Sequence, residues 1–373
     1  MKYYIIAGEA SGDLHGSNLI KQLHKLDKHA GIRCWGGHKM EAAGATLVKD
    51  YRDLAFMGFT EVIKNLPAIF RNLSFCKKDV LQYKPDVLIL IDYPGFNLRI
   101  AKWAKQHGLK VVYYISPQIW AWKENRVHSI IKYIDKMLVI LPFEKAFYKK
   151  WNYEVEYVGH PLIEVIEEFT QQHLSHTKIE FREKIIALLP GSRRQEILKK
   201  LPVMLQVAKH FPAYKFIVAK SPGLPDEFYN EILLPHPNVD WVTNKTYELL
   251  SRATAALVTS GTATLETALF GVPEIICYKG SPVTYQIAKR LIKIKYIGLV
   301  NLIMDKPVVK ELIQNELSEK NLVAELGFLL NNEENKHQQA KDYADLKLLL
   351  SAGGHASYNA AKTIYNLINT SVY

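Results

Sequence analysis

Cysteine is scarce in this chain: three residues, Cys34, Cys76 and Cys277, lie far apart with no C-x-x-C pair. That excludes a disulfide framework and a zinc site of the usual spacing, and it suits a reducing cytoplasm. Long apolar runs are also missing. The opening run Tyr3–Ala7 breaks at Gly8-Glu9, too short for a signal peptide, and nothing downstream approaches the roughly 20 apolar residues of a spanning helix. The expectation is a soluble protein, or one that lies on a membrane surface. Several motifs are absent too: G-x-x-x-x-G-K-[ST], a G-x-G-x-x-G after the first strand, D-x-D and G-x-S-x-G. These absences argue against a P-loop kinase, a metal clamp of the D-x-D type and an α/β-hydrolase. No solenoid repeat, low-complexity tract or aromatic–basic RNA signature occurs, so nucleic acid is not expected as a partner.

What is present is an ordinary globular composition, 48% hydrophobic and 23% charged, in a chain of 373 residues. That length suits two domains of about 150–200 residues each. Continuous apolar runs separated by helical patterns read as strands of parallel sheets covered on both faces. In the first half they fall at 2–7, 32–36, 86–92, 110–115, 136–141 and 154–158, with helices at 17–26, 97–107 and 142–150. In the second half they fall at 184–189, 214–219, 239–242, 255–258 and 274–278. The expected fold is α/β: two Rossmann-like, doubly wound lobes facing a shared cleft. The expected division is an N-terminal lobe 1–170, a polar linker 171–178, a C-terminal lobe 179–350 and a terminal helical segment 351–373. That last segment can pack back on the first lobe or on a partner subunit.

The net charge of +11 is concentrated. Residues 64–136 carry 13 Lys/Arg against five acids, Asp79, Asp86, Asp92, Glu124 and Asp135, a local excess of +8. Such a patch attracts an anionic membrane surface or a phosphorylated substrate, or is simply a solvated face. Next to it, Leu54–Leu73 is rich in Phe, Met, Leu and Ile with scattered cations. It reads as a buried pair of helices, an acyl-chain groove or a surface that beds into a bilayer interface.

Three strand–turn–helix junctions can present backbone N–H groups to an anion: Ala7 to Gly16, Leu189-Pro190-Gly191-Ser192-Arg193, and Val258-Thr259-Ser260-Gly261-Thr262. At the first, Asp13 or Ser11 can cap the following helix, while Glu9 lacks that duty and suits a polar contact in a cleft. At the second, Arg193 can add a bidentate contact to phosphate. At the third, Glu266 stands one turn inside the helix, complementing its dipole or binding a ribose diol. Asp92 ends the strand Val87–Ile91 ahead of Tyr93-Pro94-Gly95-Phe96-Asn97, the place where open α/β sheets gather catalytic side chains. It is either a part-desolvated base or an acceptor for turn N–H groups. Trp120 and Trp122 beside Lys123 suit a sugar platform, an interfacial belt or core packing. His160, in Val158-Gly159-His160-Pro161, is structural or a cleft residue.

Taken in order, these motifs, together with Ile115–Trp122 and Leu141-Pro-Phe-Glu-Lys-Ala-Phe147, resemble lipid-A-disaccharide synthases. The likeness runs from residue 3 to about residue 315, and beyond 320 only length and helical character match. The resemblance implies a B-type glycosyltransferase, independent of metal or other cofactor. It joins UDP-2,3-diacylglucosamine to 2,3-diacylglucosamine 1-phosphate, forms the β-1,6 lipid A disaccharide and releases UDP. It also implies peripheral association with the anionic inner leaflet from the cytoplasmic side, and in many members a homodimer that exchanges a C-terminal segment. Carried over by motif, the essential aspartate falls on Asp92. Arg193, the Ser260–Glu266 turn and Asn301 likewise match the family's donor site, so Gly191, Ser192, Arg193, Ser260, Gly261, Thr262, Glu266 and Asn301 are expected at the UDP-sugar, and the residues read above as cleft contacts, Glu9, Ser11, Trp120, Trp122 and His160, are expected on the acceptor side. The family's second acidic position in the Asp92 motif is Gly95 here, which leaves Asp92 as the single base candidate. The rival expectations are a UDP-N-acetylglucosamine epimerase, a related transferase with another acceptor, and a non-catalytic membrane- or RNA-binding protein.

Overall fold

The computed structural model describes residues 1–54, 66–173, 184–221, 223–281, 285 and 294–369. Contacts divide the chain into two units, Met1–Pro161 with Leu350–Tyr373, and Leu162–Leu349. The division falls at the start of the helix Pro161–His173, ahead of the stretch expected as linker. Residues 171–173 are the last turn of that helix, and 174–178 lie outside the described residues.

The first unit is a seven-stranded parallel sheet of β1 (Lys2–Ala7), β2 (Gly31–Gly36), β3 (Thr46–Asp50), β4 (Val87–Ile91), β5 (Lys110–Tyr114), β6 (Lys136–Val139) and β7 (Glu156–Tyr157). Its strand order is β3-β2-β1-β4-β5-β6-β7. The central strands are buried on both faces because helices cover both, so their sequences are runs such as Val-Leu-Ile-Leu-Ile rather than alternations. One face packs the helices Leu66–Tyr83, Pro94–Gln106 and Val127–Tyr133. The other packs Ala10–Leu26 and the C-terminal helix Ala356–Asn369, which lie against each other. In the expected apolar element 54–73, residues 55–65 lie outside the described residues. Its remainder begins the helix Leu66–Tyr83, where Leu73 is buried but Phe70 is 63% exposed.

The C-terminal segment returns to the first unit through specific contacts. Gly159 has φ +95°, and a Cβ there would stand 2.5 Å from the Gly354 carbonyl oxygen. Only glycine allows the two backbones to approach this closely. The His160 N–H and the Tyr157 hydroxyl both donate to the Leu350 carbonyl, at 3.3 and 3.1 Å. Asn359 Nδ2 donates to the Val158 carbonyl at 3.1 Å.

The second unit is a six-stranded parallel sheet of β8 (Ile185–Leu189), β9 (Lys215–Lys220), β10 (Val239–Thr243), β11 (Ala255–Thr259), β12 (Glu274–Tyr278) and β13 (Lys310–Ile313), ordered β10-β9-β8-β11-β12-β13. All its pairings are parallel. Two doubly wound sheets are therefore present. The strands the sequence patterns missed, β3 and β13, are edges. With a neighbour on one side only, they need not be uniformly apolar.

Candidate active site and nucleotide-binding turns

In the first sheet the strand order reverses between β1 and β4, and in the second between β8 and β11. At such a switch point the connections leave in opposite directions and open a crevice at the strands' carboxyl ends. The sequence-predicted residues gather there: Glu9, Ser11 and Asp92 at the first, and Gly191–Arg193 and Ser260–Thr262 at the second.

Asp92 and Tyr93 follow β4 with φ +44° and +48°, and Ile115 follows β5 with φ +66°. Left-handed backbone at non-glycine residues costs about 1–3 kcal/mol each and persists only where surrounding contacts impose it. Those contacts are present. The buried Asn97 donates from Nδ2 to the carbonyls of Asp92 at 2.7 Å and Ile91 at 3.2 Å, and the Tyr113 hydroxyl also donates to the Asp92 carbonyl. Asp92 N–H donates to the Tyr114 carbonyl at 3.3 Å. Pro94 then opens the next helix with Tyr93 as its N-cap. The Tyr93 ring lies on Gly8, where a Cβ would stand 2.3 Å from Cγ, so glycine at the end of β1 is what lets the two strand ends meet. Burial raises the Tyr93 phenol's pKa, and the Glu9 carboxylate adds to the shift.

Glu9 is the N-cap residue of the helix Ala10–Leu26 by position but makes no side-chain cap bond. Ser11 is exposed on the first turn. Asp13 caps a different helix from the one expected. Its carboxylate accepts from Gly37 N at 2.8 Å, Met40 N at 3.0 Å and Lys39 N at 3.2 Å, at the start of His38–Ala42.

Trp120 is held by an edge contact with Phe143, ring centroids 5.0 Å apart, and by a 3.2 Å hydrogen bond from Nε1 to Glu144 Oε1. Glu144 is 1% exposed and also accepts from Leu141 N at 3.0 Å and Ile140 N at 3.3 Å. Burial pushes its pKa up to about 7 against these stabilising donors. The Trp122 side chain lies outside what the structure describes. His160, expected at the acceptor cleft, is instead 3% exposed inside the first unit. Burial, with repulsion from His15, lowers its pKa to about 3, so it is neutral.

In the second unit, Gly191 has φ +111°, and a Cβ there would stand 2.9 Å from Glu196 Oε2. The turn Gly191-Ser192-Arg193 therefore leads directly into the helix Arg194–Val207, with Ser192 exposed and Arg193 at the N-cap position. The Arg193 side chain is 54% exposed and lies 3.4 Å from Glu196 Oε1. Across the switch point, Gly261 with φ +149° precedes Thr262, the exposed first residue of the helix Thr262–Leu269. Ser260 Oγ donates to the Ile297 carbonyl at 3.0 Å. Glu266 accepts from the Tyr247 hydroxyl at 2.9 Å, and burial raises its pKa. Asn301 has its amide engaged within the unit. It is 1% exposed, its Nδ2 donates to the Val309 carbonyl and to Glu311 Oε1, and its Oδ1 accepts from Val309 N.

The comparisons with known proteins agree with this geometry. A family model described as lipid-A-disaccharide synthetase matches residues 3–366. The chain belongs to the lipid-A-disaccharide synthase family. It is 39% identical to the lipid-A-disaccharide synthase of Geobacter metallireducens, covering 94% of this chain and 93% of that protein. It is 40% identical to lipid-A-disaccharide synthase 1 of Legionella pneumophila, covering 93% of each. Among solved structures it is similar in fold to a Neisseria meningitidis UDP-GlcNAc 2-epimerase bound to UDP-GlcNAc, with TM-score 0.65 at 14% identity over 99% of this chain and 100% of that one. It is likewise similar to a calicheamicin glycosyltransferase, with TM-score 0.61 at 16% identity over 100% and 99%. The fold is thus the B-type glycosyltransferase fold, and the family is one of enzymes.

Some members of the site lay outside the sequence reading. Asn97 and Tyr113 hold the Asp92 carbonyl, and only a partner from a different element could show that. Lys200 was missed as well. It is buried, its Nζ donates to Thr259 Oγ1, and it sits 3.6 Å from Glu196, one helical turn away. The Glu-x-x-x-Lys spacing was the available signal. Burial lowers its pKa. No helix among the described residues is long and apolar enough to cross a membrane.

Proposed function

We propose that this chain joins UDP-2,3-diacylglucosamine to 2,3-diacylglucosamine 1-phosphate, giving the β-1,6-linked lipid A disaccharide 1-phosphate and UDP. The observation that carries the proposal is the coincidence of the family's motifs with the two switch points, Asp92 at one and the glycine turns at the other.

The donor is an α-linked sugar nucleotide and the product is β-linked, so a single in-line displacement with one base is sufficient. The acceptor's 6-hydroxyl oxygen forms the new bond to the anomeric carbon as the bond to the diphosphate breaks. The hydroxyl proton passes to the Asp92 carboxylate, the general base. Tyr93, Asn97 and Tyr113 fix the backbone that aims it, so little reorganisation accompanies the step. Glu9, Ser11 and Trp120 are assigned to the acceptor. The second unit holds the donor. Charge develops on the departing diphosphate, and the backbone N–H groups at Gly191–Arg193 and Gly261–Thr262, with the Arg193 guanidinium, stabilise it. Ser192 and Ser260 supply hydroxyl contacts, and Glu266 takes the ribose. These residues need no metal or other cofactor for this chemistry.

The basic excess in residues 64–136 and the exposed Phe70 suit an anionic, acylated surface and support a site of action on the cytoplasmic face of the inner membrane. A homodimer that exchanges the C-terminal helix would replace the contact between Ala356–Asn369 and Ala10–Leu26 with the same contact on a partner.

The test is the Asp92→Asn variant. Product formation, followed by mass, should fall by about 10²–10⁴-fold or more, as expected for loss of a general base. UDP binding by calorimetry should be nearly unchanged. Retained turnover removes the base assignment. Conversion of the UDP-sugar to its epimer without acceptor would replace the transferase reading with an epimerase.

A further inference from the structure

Lys200 is a buried cation that none of the roles above uses, and its contacts join the two turns assigned to the diphosphate. It lies in the second turn of the helix Arg194–Val207, which the Gly191–Arg193 turn opens. Its side chain runs back toward the helix start, as helical side chains do, and reaches the end of β11. There its Nζ donates to Thr259 Oγ1, one residue before Ser260. Its second polar partner is Glu196, with Nζ 3.6 Å from Oε2. The Lys200 side chain is 3% exposed, so these groups rather than bulk water surround its ammonium. Burial disfavours the charged form, and the Glu196 carboxylate is the foremost group that favours it.

The same two partners wall the first nucleotide turn. A Cβ at Gly191 would stand 2.9 Å from Glu196 Oε2 and 3.3 Å from Thr259 Cγ2. Lys200 therefore holds, from one point, the two side chains that press on Gly191. Glu196 poses the chemical problem. It is the third residue of its helix, where a carboxylate complements the dipole and takes up the positive potential that an anion would use. It also draws on Arg193, whose guanidinium lies 3.4 Å from Oε1. An uncompensated carboxylate here would repel a diphosphate and compete with it for Arg193. Among the described residues, Arg193 and Lys200 are the cations within ion-pair distance of Glu196.

We infer, on the reading that these turns hold the diphosphate, that Lys200 is a positioning residue for the sugar-nucleotide donor. Its ammonium neutralises Glu196 and keeps that carboxylate against the Gly191 turn, which releases the Arg193 guanidinium for the diphosphate. Its bond to Thr259 fixes the Ser260–Thr262 turn to the same point, so the two sets of backbone N–H groups keep their spacing. Lys200 acts through these neighbours and touches no substrate.

The test is calorimetry with UDP on the full chain. Lys200→Met leaves Glu196 without its buried counter-charge and should weaken UDP binding by about tenfold or more. Lys200→Gln keeps a donor for Thr259 and loses the charge. It should show the same loss, and it stands in should the methionine variant fold poorly. Adding Glu196→Gln to either variant removes the carboxylate and should restore UDP affinity to within about threefold of wild type, a recovery that a merely structural role for Lys200 would not give. Undiminished UDP affinity in a folded variant of either kind, or a loss that Glu196→Gln does not repair, would overturn the role of Lys200. Wild type that binds UDP no tighter than uridine would instead overturn the diphosphate assignment on which that role stands.

Discussion

Asp92 illustrates how one residue's role depends on neighbours remote in sequence. Its position after an apolar strand is local information. The two left-handed residues at 92 and 93 are not, because Asn97, Tyr113 and Gly8 hold them there from three other elements. Glu144 is the second case at this scale. As one carboxylate inside Leu-Pro-Phe-Glu it looks like a helix-start residue, and in the fold it is a buried acceptor for Trp120 and two backbone N–H groups. Its pKa rises on folding from 4.5 to about 7. A carboxyl with a raised folded value holds its proton more tightly when folded. Its contribution is therefore fully present below pH 4.5 and is lost as pH rises through about 7. Urea unfolding of wild type and Glu144→Gln at pH 5 and pH 8 should show the wild type losing up to about 3 kcal/mol more across that interval. Parallel curves would show that Glu144 does not titrate there. The buried histidines act in the opposite direction. His15 and His160, lowered to about 4 and about 3, contribute stability above the unfolded value of 6.5 that is lost on acidification.

Among the elements, the strands buried on both faces were legible from sequence to within a few residues, because covering helices demand continuous apolar runs. The edge strands β3 and β13 were not, since Thr-Leu-Val-Lys-Asp and Lys-Glu-Leu-Ile carry charge where a partner strand is missing. The glycines divide in a similar way. Gly159 and Gly95 look alike in sequence, yet Gly159 has φ +95° with a carbonyl 2.5 Å from its missing Cβ, while Gly95 has open space. Gly159→Ala should cost about 2–4 kcal/mol, from left-handed strain together with displacement of the Gly353-Gly354 backbone. The C-terminal helix should then become the first site of proteolysis. Gly95→Ala, near the start of a helix, should be neutral or stabilising by up to about 1 kcal/mol. Equal melting temperatures for the two variants would contradict this account of the docking.

At the scale of the whole molecule, the charge of +11 and its concentration in residues 64–136 argue for an anionic surface as the place of work. Binding to vesicles containing phosphatidylglycerol should be strong at low ionic strength. It should fall steeply between about 0.05 and 0.5 M salt, as the screening length shrinks below the spacing of surface charges. Vesicles of phosphatidylcholine alone should bind weakly at every salt concentration. Salt-independent binding to both would assign the attachment to apolar insertion rather than charge.

The alternation of apolar runs and amphipathic helices, the glycine turns at the strand ends, and with them the two parallel sheets and the family, were all written in the order of residues. Those features are local or repeat at a fixed period, and burial of backbone and apolar surface enforces them wherever the chain goes. Which polar residues remain available was settled by packing between elements. Asn301 and Asp13 are consumed by internal contacts, His160, Glu144 and Lys200 are drawn inside, and Glu274 is buried with neither carboxyl oxygen hydrogen-bonded among the described residues. A polar side chain's role is set by the partners that desolvation forces on it, and those partners arrive from elements far away in the chain.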